Sequence, residues 1–206
     1  MKNEKVVERP EIGLSVGQIW IFLAAVSLAA IIIVFTVLRP VVNFGTFGVG
    51  SGDEGTFISD RDGFSVRYPL AWRPLNKQEK TRSNGHFAFA AKYHEPNAFF
   101  GVRAQPIVAK NVRLDQVAAT LERELAKKFT GFQKINQRIL TLEGSGRALQ
   151  YDYLYTPSGE QQMRERLVIV IKGSKVFHLT AWSHADDYGR VSADIDGMIR
   201  NFSVGK

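Results

Sequence analysis

RDGFSVRYPLAWRPL, residues 61–75, is the stretch of this chain that decides its fold. Apolar residues alternate with polar ones along its first half: Phe64, Val66 and Tyr68. This alternation predicts a β-strand with one buried face. Pro69 has no backbone N–H to donate and is therefore expected to end the strand. Trp72 follows at once, and we expect it to fold back as a lid on the edge of the core.

Strand and helix patterns continue downstream of this motif. The segments HFAFAAKY (86–93) and AFFGVRAQPIV (98–108) alternate around a Glu95-Pro96-Asn97 turn, which predicts a hairpin with Phe87, Phe89, Ala91 and Tyr93 on one face. Apolar residues at three- and four-residue spacing then predict a helix over about 111–128. Three further strands are predicted at QKINQRILTLEG, RALQYDYLYT and QMRERLVIVIKG. A tight turn at Gly173-Ser174 then leads into the strand KVFHLTAWS.

The last helix is predicted from its start signal and its apolar stripe. Ser183 with Asp186 three residues later is similar to a capping box. The stripe beyond it has 3,4,3,4 spacing: Tyr188, Val191, Ile195, Met198 and Phe202. Two helices with hairpin-connected strands predict an α+β domain, an antiparallel β-sheet flanked by helices.

The order of these motifs resembles the PsbP-like, or Mog1/PsbP/DcrB-like, α/β/α sandwich domains. GFSVRYPLAW is similar to the opening strand-and-stop of that family, a Gly-Phe start with Tyr-Pro and then Trp. LQYDYLY, the hairpin VIVIKGSKVFHLTAWS and the terminal NFSV extend the resemblance over about residues 56–204. The resemblance implies docking onto a larger partner without catalysis. Members serve as lumenal extrinsic subunits of photosystems, as envelope lipoproteins and as a nuclear import factor that binds a small GTPase.

The N-terminal part has a different composition. No charged residue occurs between Glu11 and Arg39. The apolar run at 19–38 would span roughly 30 Å as a helix, which matches a bilayer core. We therefore expect residues 1–18 to be a cytoplasmic segment, 19–38 a single transmembrane helix, 39–55 a glycine-rich tether and 56–206 the PsbP-like domain. A cleaved signal peptide is the rival interpretation, but its apolar core is usually only about 7–15 residues long.

The short flanks of this run predict its orientation. Lys2, Lys5 and Arg9 precede it, while Arg39 is the only basic residue between it and Arg61. The positive-inside rule then places the N-terminus in the cytoplasm and the domain on the periplasmic, lumenal or extracellular side.

Catalytic and metal chemistry have few candidates here. The chain has no cysteine, which excludes disulfides, thiolate nucleophiles and cysteine-ligated metals. Four residues are weak metal-ligand candidates: His178, His184, Asp186 and Asp187. The alternative is that Asp186 and Asp187 occupy the first turn of the last helix, where negative charge is favourable. Ser183, His184 and Asp186 are too close in sequence for a nucleophilic relay. We expect no enzyme and no cofactor.

Charge is the stronger signal for a partner. After residue 55 the chain has 23 basic and 15 acidic residues, a balance of +8. Such a domain favours acidic proteins or anionic lipids, and nucleic acid is not expected outside the cytoplasm. The predicted docking patch lies around the end of the first long helix: Lys127, Lys128, Lys134 and Arg138. A loop with Lys77, Lys80 and Arg82 is the second choice.

These observations predict a non-enzymatic accessory or assembly subunit. It would present the domain to an acidic surface of a membrane protein complex on the extracytoplasmic side, for example a photosynthetic or electron-transfer complex. The alternative is a small-molecule or metal-binding sensor, with a pocket between sheet and helix near Tyr151, Tyr153 and His178. The sequence does not identify the partner.

Overall fold

The computed structural model describes residues 46–49, 53–82, 87–107, 112–157 and 161–205. These residues form eleven strands and three helices. The strands are β1 (Thr46–Val49), β2 (Glu54–Ser59), β3 (Phe64–Pro69), β4 (Arg73–Pro74), β5 (Phe89–Tyr93), β6 (Ala98–Pro106), β7 (Gln133–Leu142), β8 (Gly146–Tyr155), β9 (Met163–Lys172), β10 (Lys175–His184) and β11 (Ser203–Val204). The helices are α1 (Lys77–Arg82), α2 (Leu114–Lys128) and α3 (Tyr188–Arg200).

The strands form two antiparallel sheets. The small sheet has the order β1-β2-β3-β11, and the large sheet has the order β4-β5-β6-β10-β9-β8-β7. The small sheet and α3 pack on one face of the large sheet and bury a main core with it. Helix α2 packs on the opposite face over the tyrosine-rich strand β8 and over β9. The predicted α+β architecture with an antiparallel sheet flanked by helices is confirmed.

The opening motif forms β3 as predicted, and its tryptophan is more deeply buried than expected. Phe64, Val66 and Tyr68 face the main core, and the strand ends at Pro69. Trp72 is fully buried rather than a lid at the edge, and its indole Nε1 donates a hydrogen bond to Asp194 Oδ2 at 2.9 Å. The turn after Pro69 thus carries Trp72 into the interior, beneath α3.

The N-terminal predictions fall largely outside the described residues. The predicted transmembrane helix at 19–38 and most of the tether are among the residues that the structure does not describe. Two stretches inside the predicted tether, 46–49 and 54–55, are β-strand, with Val49 opposite Gly55 in the β1–β2 ladder. In the described part of the chain no helix is long and apolar enough to cross a membrane.

The predicted start of the last helix is wrong by several residues. Ser183 is still part of β10; it is fully buried, and its hydroxyl donates to the His184 carbonyl at 3.0 Å. Asp187 is the residue before α3, and its side chain makes no capping hydrogen bond. The pairing of β10 with β9 continues as far as His184, so the chain is still extended at the predicted helix start.

Candidate functional site

Strand β7 is an edge of the large sheet and presents unusually accessible residues. In the described part of the chain it pairs only with β8, and every residue from Gln133 to Ile139 is exposed. Ile135 and Ile139 keep 43% and 45% of their surfaces exposed. Edge strands of this kind offer unpaired backbone donors and acceptors to an added strand.

A β-bulge in β7 places Lys134 and Arg138, which were predicted to lie in one patch, on opposite faces of the sheet. The ladder with β8 shifts between Lys134 and Asn136. Lys134 lies opposite Tyr153 on the α2 side, whereas Arg138 donates to Gln150 Oε1 at 3.2 Å on the α3 side. Without a bulge, residues four apart would share a face. The four predicted docking residues therefore do not form one patch.

The lysines on the α2 side are partly compensated by carboxylates. Lys134 Nζ lies 2.6 Å from Glu122 Oε2, and this hydrogen bond lowers the pKa of Glu122. Lys127 Nζ is 3.7 Å from Glu124 Oε1. Lys128 Nζ lies 4.9 Å from the centroid of the Phe129 ring. These side chains add positive charge beside the β7 edge, but less than four bare cations would.

The second predicted cluster lies on a helix rather than a loop. Asn76 and Glu79 cap helix α1 reciprocally: the Glu79 N–H donates to Asn76 Oδ1 at 3.0 Å, and the Asn76 N–H donates to Glu79 Oε2 at 2.9 Å. Lys80 Nζ donates to the Ala88 carbonyl at 3.3 Å, and burial lowers its pKa. Lys77 is exposed, and the side chain of Arg82 lies outside the described residues.

The metal-ligand candidates are dispersed. His178 and His184 lie six residues apart on β10, roughly 20 Å along an extended strand. Asp187 Oδ1 is 3.3 Å from Arg190 Nη1, and Asp186 is exposed in the turn before α3. Among the described residues, no three His, Asp or Glu side chains come together in a group that could hold a metal ion.

Beneath α2 lies a buried acid that the sequence did not single out. Glu165 of β9 faces Tyr153 of β8, and the hydroxyls of Tyr153 and Tyr155 donate to its carboxylate. Burial raises the pKa of Glu165 to about 7, although these hydrogen bonds and the charges of Lys128 and Arg103 favour ionisation. Of the predicted pocket residues, Tyr151 and Tyr153 are fully packed in the α2 core.

Farther along the same face, Arg103 and His178 are direct cross-strand neighbours. The Arg103 guanidinium carbon lies 4.3 Å from the Phe87 ring centroid. Phe87 thus packs on the α2 side, whereas Phe89 faces the main core, so the predicted common face of these two residues is wrong. Burial, and secondarily the charge of Arg103, lowers the pKa of His178 to about 4, so the imidazole is neutral at pH 7.

The opposite face of the large sheet holds a buried ionic network. Arg166 donates to both carboxylate oxygens of Asp152, at 2.7 and 3.0 Å, and also to Asp196 of α3. Arg164 and Arg166, two residues apart on β9, both lie against the Tyr188 ring, with their guanidinium carbons 4.4 and 5.8 Å from its centroid. This network fastens α3 to the sheet.

Comparisons with known proteins define the class of this fold. No family model and no curated protein matches the chain. Solved structures do, among them cyanobacterial PsbP (CyanoP) from Synechocystis sp. PCC 6803, with 14% identity and a TM-score of 0.57 over 76% of this chain and 95% of that one. The described domain therefore has a PsbP-like fold.

Within that class the chain is also similar to a protein involved in cell envelope biogenesis. LpqN of Mycobacterium tuberculosis, described as involved in cell envelope biogenesis, has 16% identity and a TM-score of 0.56 over 79% of this chain and 91% of that one. The fold predicted from GFSVRYPLAW and the later hairpins is thus confirmed at the level of architecture.

Proposed function

We propose that this chain is a non-enzymatic accessory or assembly subunit that presents a PsbP-like domain to a membrane protein complex. One transmembrane helix at 19–38 would anchor it, with the N-terminus in the cytoplasm and the domain on the extracytoplasmic side. The observation that carries the proposal is the exposed β7 edge with cations on both of its faces. The likeness of the fold to CyanoP and LpqN supports it.

The edge of β7 fits an extended acidic segment of a partner. An added strand would form backbone hydrogen bonds with β7 and place alternate side chains on the two faces of the sheet. Because of the bulge, an acidic residue on one face would meet Lys134, and an acidic residue on the other would meet Arg138. Ile135 and Ile139, each next in sequence to one of these cations, provide apolar contact. A second copy of this chain fits less well, since it would bring the same cations together.

Lys127 and Lys128 extend the positive charge beyond the strand and would steer the partner toward it. Both are exposed at the end of α2, one turn before β7 begins. Exposed charges of this kind act mostly on association rate and are screened over roughly 8 Å at physiological salt. Complex formation should therefore weaken as ionic strength rises.

The test combines two kinds of variant in affinity purification of the intact membrane protein in mild detergent. The first replaces Lys127, Lys128, Lys134 and Arg138 by glutamine, and its matched control replaces four exposed cations elsewhere, Lys92, Lys172, Arg190 and Arg200. The second compares Ile139→Glu with Ile139→Lys. Both variants remove the same apolar contact, but they introduce charges of opposite sign.

We expect the first quadruple variant to lose the co-purified complex and its control to retain it. Ile139→Glu should weaken retention more than Ile139→Lys, because an added carboxylate repels an acidic strand. A protein recovered only as a free monomer would refute the accessory role. Retention by all variants, at every ionic strength, would show that docking occurs elsewhere.

A further inference from the structure

Gln150, on the α3 side of the large sheet, has an amide whose orientation is fixed by a buried ion pair. Its side chain is buried, and its Nε2 donates to the two carboxylate oxygens of Asp152 at 3.2 and 3.1 Å. Arg166 donates to the same two oxygens, which are therefore acceptors that repel another carbonyl oxygen. The amide nitrogen must then face Asp152, and Gln150 Oε1 faces β7.

Gln150 Oε1 holds Arg138 of β7 in place without neutralising it. Arg138 is exposed, and its Nη2 donates to this oxygen at 3.2 Å. An amide oxygen carries no formal charge, so the guanidinium keeps its full positive charge and its other N–H groups. None of the ion pairs among the described residues includes Arg138. The β7 edge thus displays an oriented cation that is not paired with a carboxylate in the described part of the chain.

The other cation of β7, Lys134, already has a counter-ion. Lys134 Nζ lies 2.6 Å from Glu122 Oε2, and this hydrogen bond lowers the pKa of Glu122, which therefore stays ionised at neutral pH. A carboxylate of a partner would have to compete with Glu122 for the ammonium group, on a surface where exposed pairs contribute little. Of the two cations, Arg138 is therefore the one available to an incoming carboxylate.

The two faces of β7 differ in what they offer to an added strand. Arg138 lies opposite Gln150 on the α3 side. On the α2 side, Ile139 lies opposite Leu149 of the α2 core and keeps 45% of its surface exposed. Successive side chains of an added strand point to alternate faces of the sheet. Such a strand would match β7 best with acidic side chains on the α3 side and apolar side chains on the α2 side.

We propose that the β7 edge binds an extended partner segment with carboxylates on one face and apolar side chains on the other, and that Arg138, positioned by Gln150, receives a carboxylate. This partner chemistry rests on the proposed docking function and narrows it, since the recognition of acid falls on one face. A planar guanidinium fork matches a carboxylate, and a group that is held in advance loses less freedom on binding. Strand β7 contains no acidic residue, so the same strand of a second copy lacks the required carboxylate.

The test measures the binding of two fluorescent peptides to the full chain in lipid nanodiscs by fluorescence anisotropy, with empty nanodiscs as the blank. Valine alternates with serine in both peptides, and two of the serines are replaced by glutamate in one peptide and by glutamine in the other. Arg138→Gln removes the proposed receptor, and Lys134→Gln is its matched control on the same strand. Gln150→Met keeps a side chain of similar size but removes the acceptor that holds Arg138.

We expect the glutamate peptide to bind about tenfold more tightly than the glutamine peptide, because hydrogen bonds to charged groups are the stronger ones. Arg138→Gln should abolish this preference, and Arg138→Lys, which keeps the charge without the fork, should retain only part of it. Lys134→Gln should keep the preference within about twofold. Gln150→Met should lower the preference without weakening binding of the glutamine peptide, which distinguishes positioning of Arg138 from a general loss of structure.

Equal affinity of the unmodified chain for both peptides would overturn the role of Arg138 and leave docking at β7 intact, as would equal losses in Arg138→Gln and Lys134→Gln. An unchanged preference in Gln150→Met would remove Gln150 from recognition, and if that variant does not fold, the Arg138 variants still decide. Binding of neither peptide would overturn the β7 edge as a docking site as well. A chain recovered from membranes only as a free monomer would refute the accessory role, while the peptide preference would still decide the role of Arg138.

Discussion

Trp72 contributes to stability mainly through packing. The ring is fully buried in the main core, whereas its hydrogen-bond acceptor Asp194 is partly exposed and can accept from water instead. Trp72→Phe should lower the free energy of unfolding by about 1–3 kcal/mol, because it leaves a cavity beneath α3. Urea unfolding followed by circular dichroism measures the loss. Asp194→Ala is the control and should cost about 1 kcal/mol or less; an equal cost would give the hydrogen bond the main role.

Glu165 makes stability depend on pH in an unusual direction. Its pKa is raised to about 7 in the folded chain from an ordinary 4.5, so the folded state binds the proton more tightly. The resulting stabilisation is fully present below about pH 4.5 and is lost as pH rises through 7. At 1.36 kcal/mol per pKa unit this is on the order of 3 kcal/mol.

Glu165→Gln isolates that contribution. We expect the wild type to lose stability relative to this variant between about pH 4.5 and 7, as measured by urea unfolding at several pH values. His178 acts in the opposite sense, since its lowered pKa removes stability as pH falls from 6.5 toward 4, but it is common to both proteins and cancels. A constant difference across this range would contradict the buried acid.

The burial of a single residue can be predicted from the sequence only where one periodicity decides which face of the element it lies on. The alternation of Phe64, Val66 and Tyr68 suffices to bury them, because in a strand parity alone decides the face. Arg103 and Glu165 stand on strands whose buried and half-buried faces both carry apolar residues. Their importance arises from cross-strand neighbours, which the order of residues along the chain does not reveal.

At the scale of elements, the ion pairs of one arginine link α3 to the large sheet. Arg166 of β9 is 8% exposed in its side chain and joins Asp152 of β8 to Asp196 of α3. Arg166→Met would leave the buried Asp152 carboxylate without its cation and should cost about 3–5 kcal/mol. Thermal and urea unfolding measure this loss.

Two further variants separate charge from packing in this network. Asp152→Leu combined with Arg166→Met removes both charges and should recover much of the lost stability. Arg190→Met breaks an exposed pair with Asp187 and should cost less than about 1 kcal/mol. If the double variant is no more stable than Arg166→Met, shape and not charge determines the attachment of α3.

Element boundaries show where sequence patterns compete. Ser183 and Asp186 carry a helix-start signal, yet nine preceding backbone partners on β9 hold the chain extended to His184. The bulge after Lys134 carries no local signal, and it reverses the face on which Arg138 lies. The predicted hairpins, by contrast, follow from tight turns such as Gly173, whose φ of 59° suits glycine.

At the scale of the whole molecule, the large sheet divides two kinds of surface. Its α3 side is closed by the small sheet and the main core, while its α2 side leaves β10 partly open and its β7 edge unpaired in the described residues. The proposed docking site uses the unpaired β7 edge.

The absence of cysteine from the chain makes its proposed membrane orientation directly testable. Asn3→Cys places a thiol before the apolar run at 19–38, and Gly189→Cys places one on an exposed position of α3 where an added Cβ meets nothing within 4 Å. Because basic residues are retained on the cytoplasmic side, a membrane-impermeant maleimide should label the second variant in spheroplasts of a bacterial host and spare the first. Both should react after lysis. Labelling of the first variant alone would reverse the orientation, and protection of both before lysis would place the domain in the cytoplasm, where the extracytoplasmic partner could not reach β7.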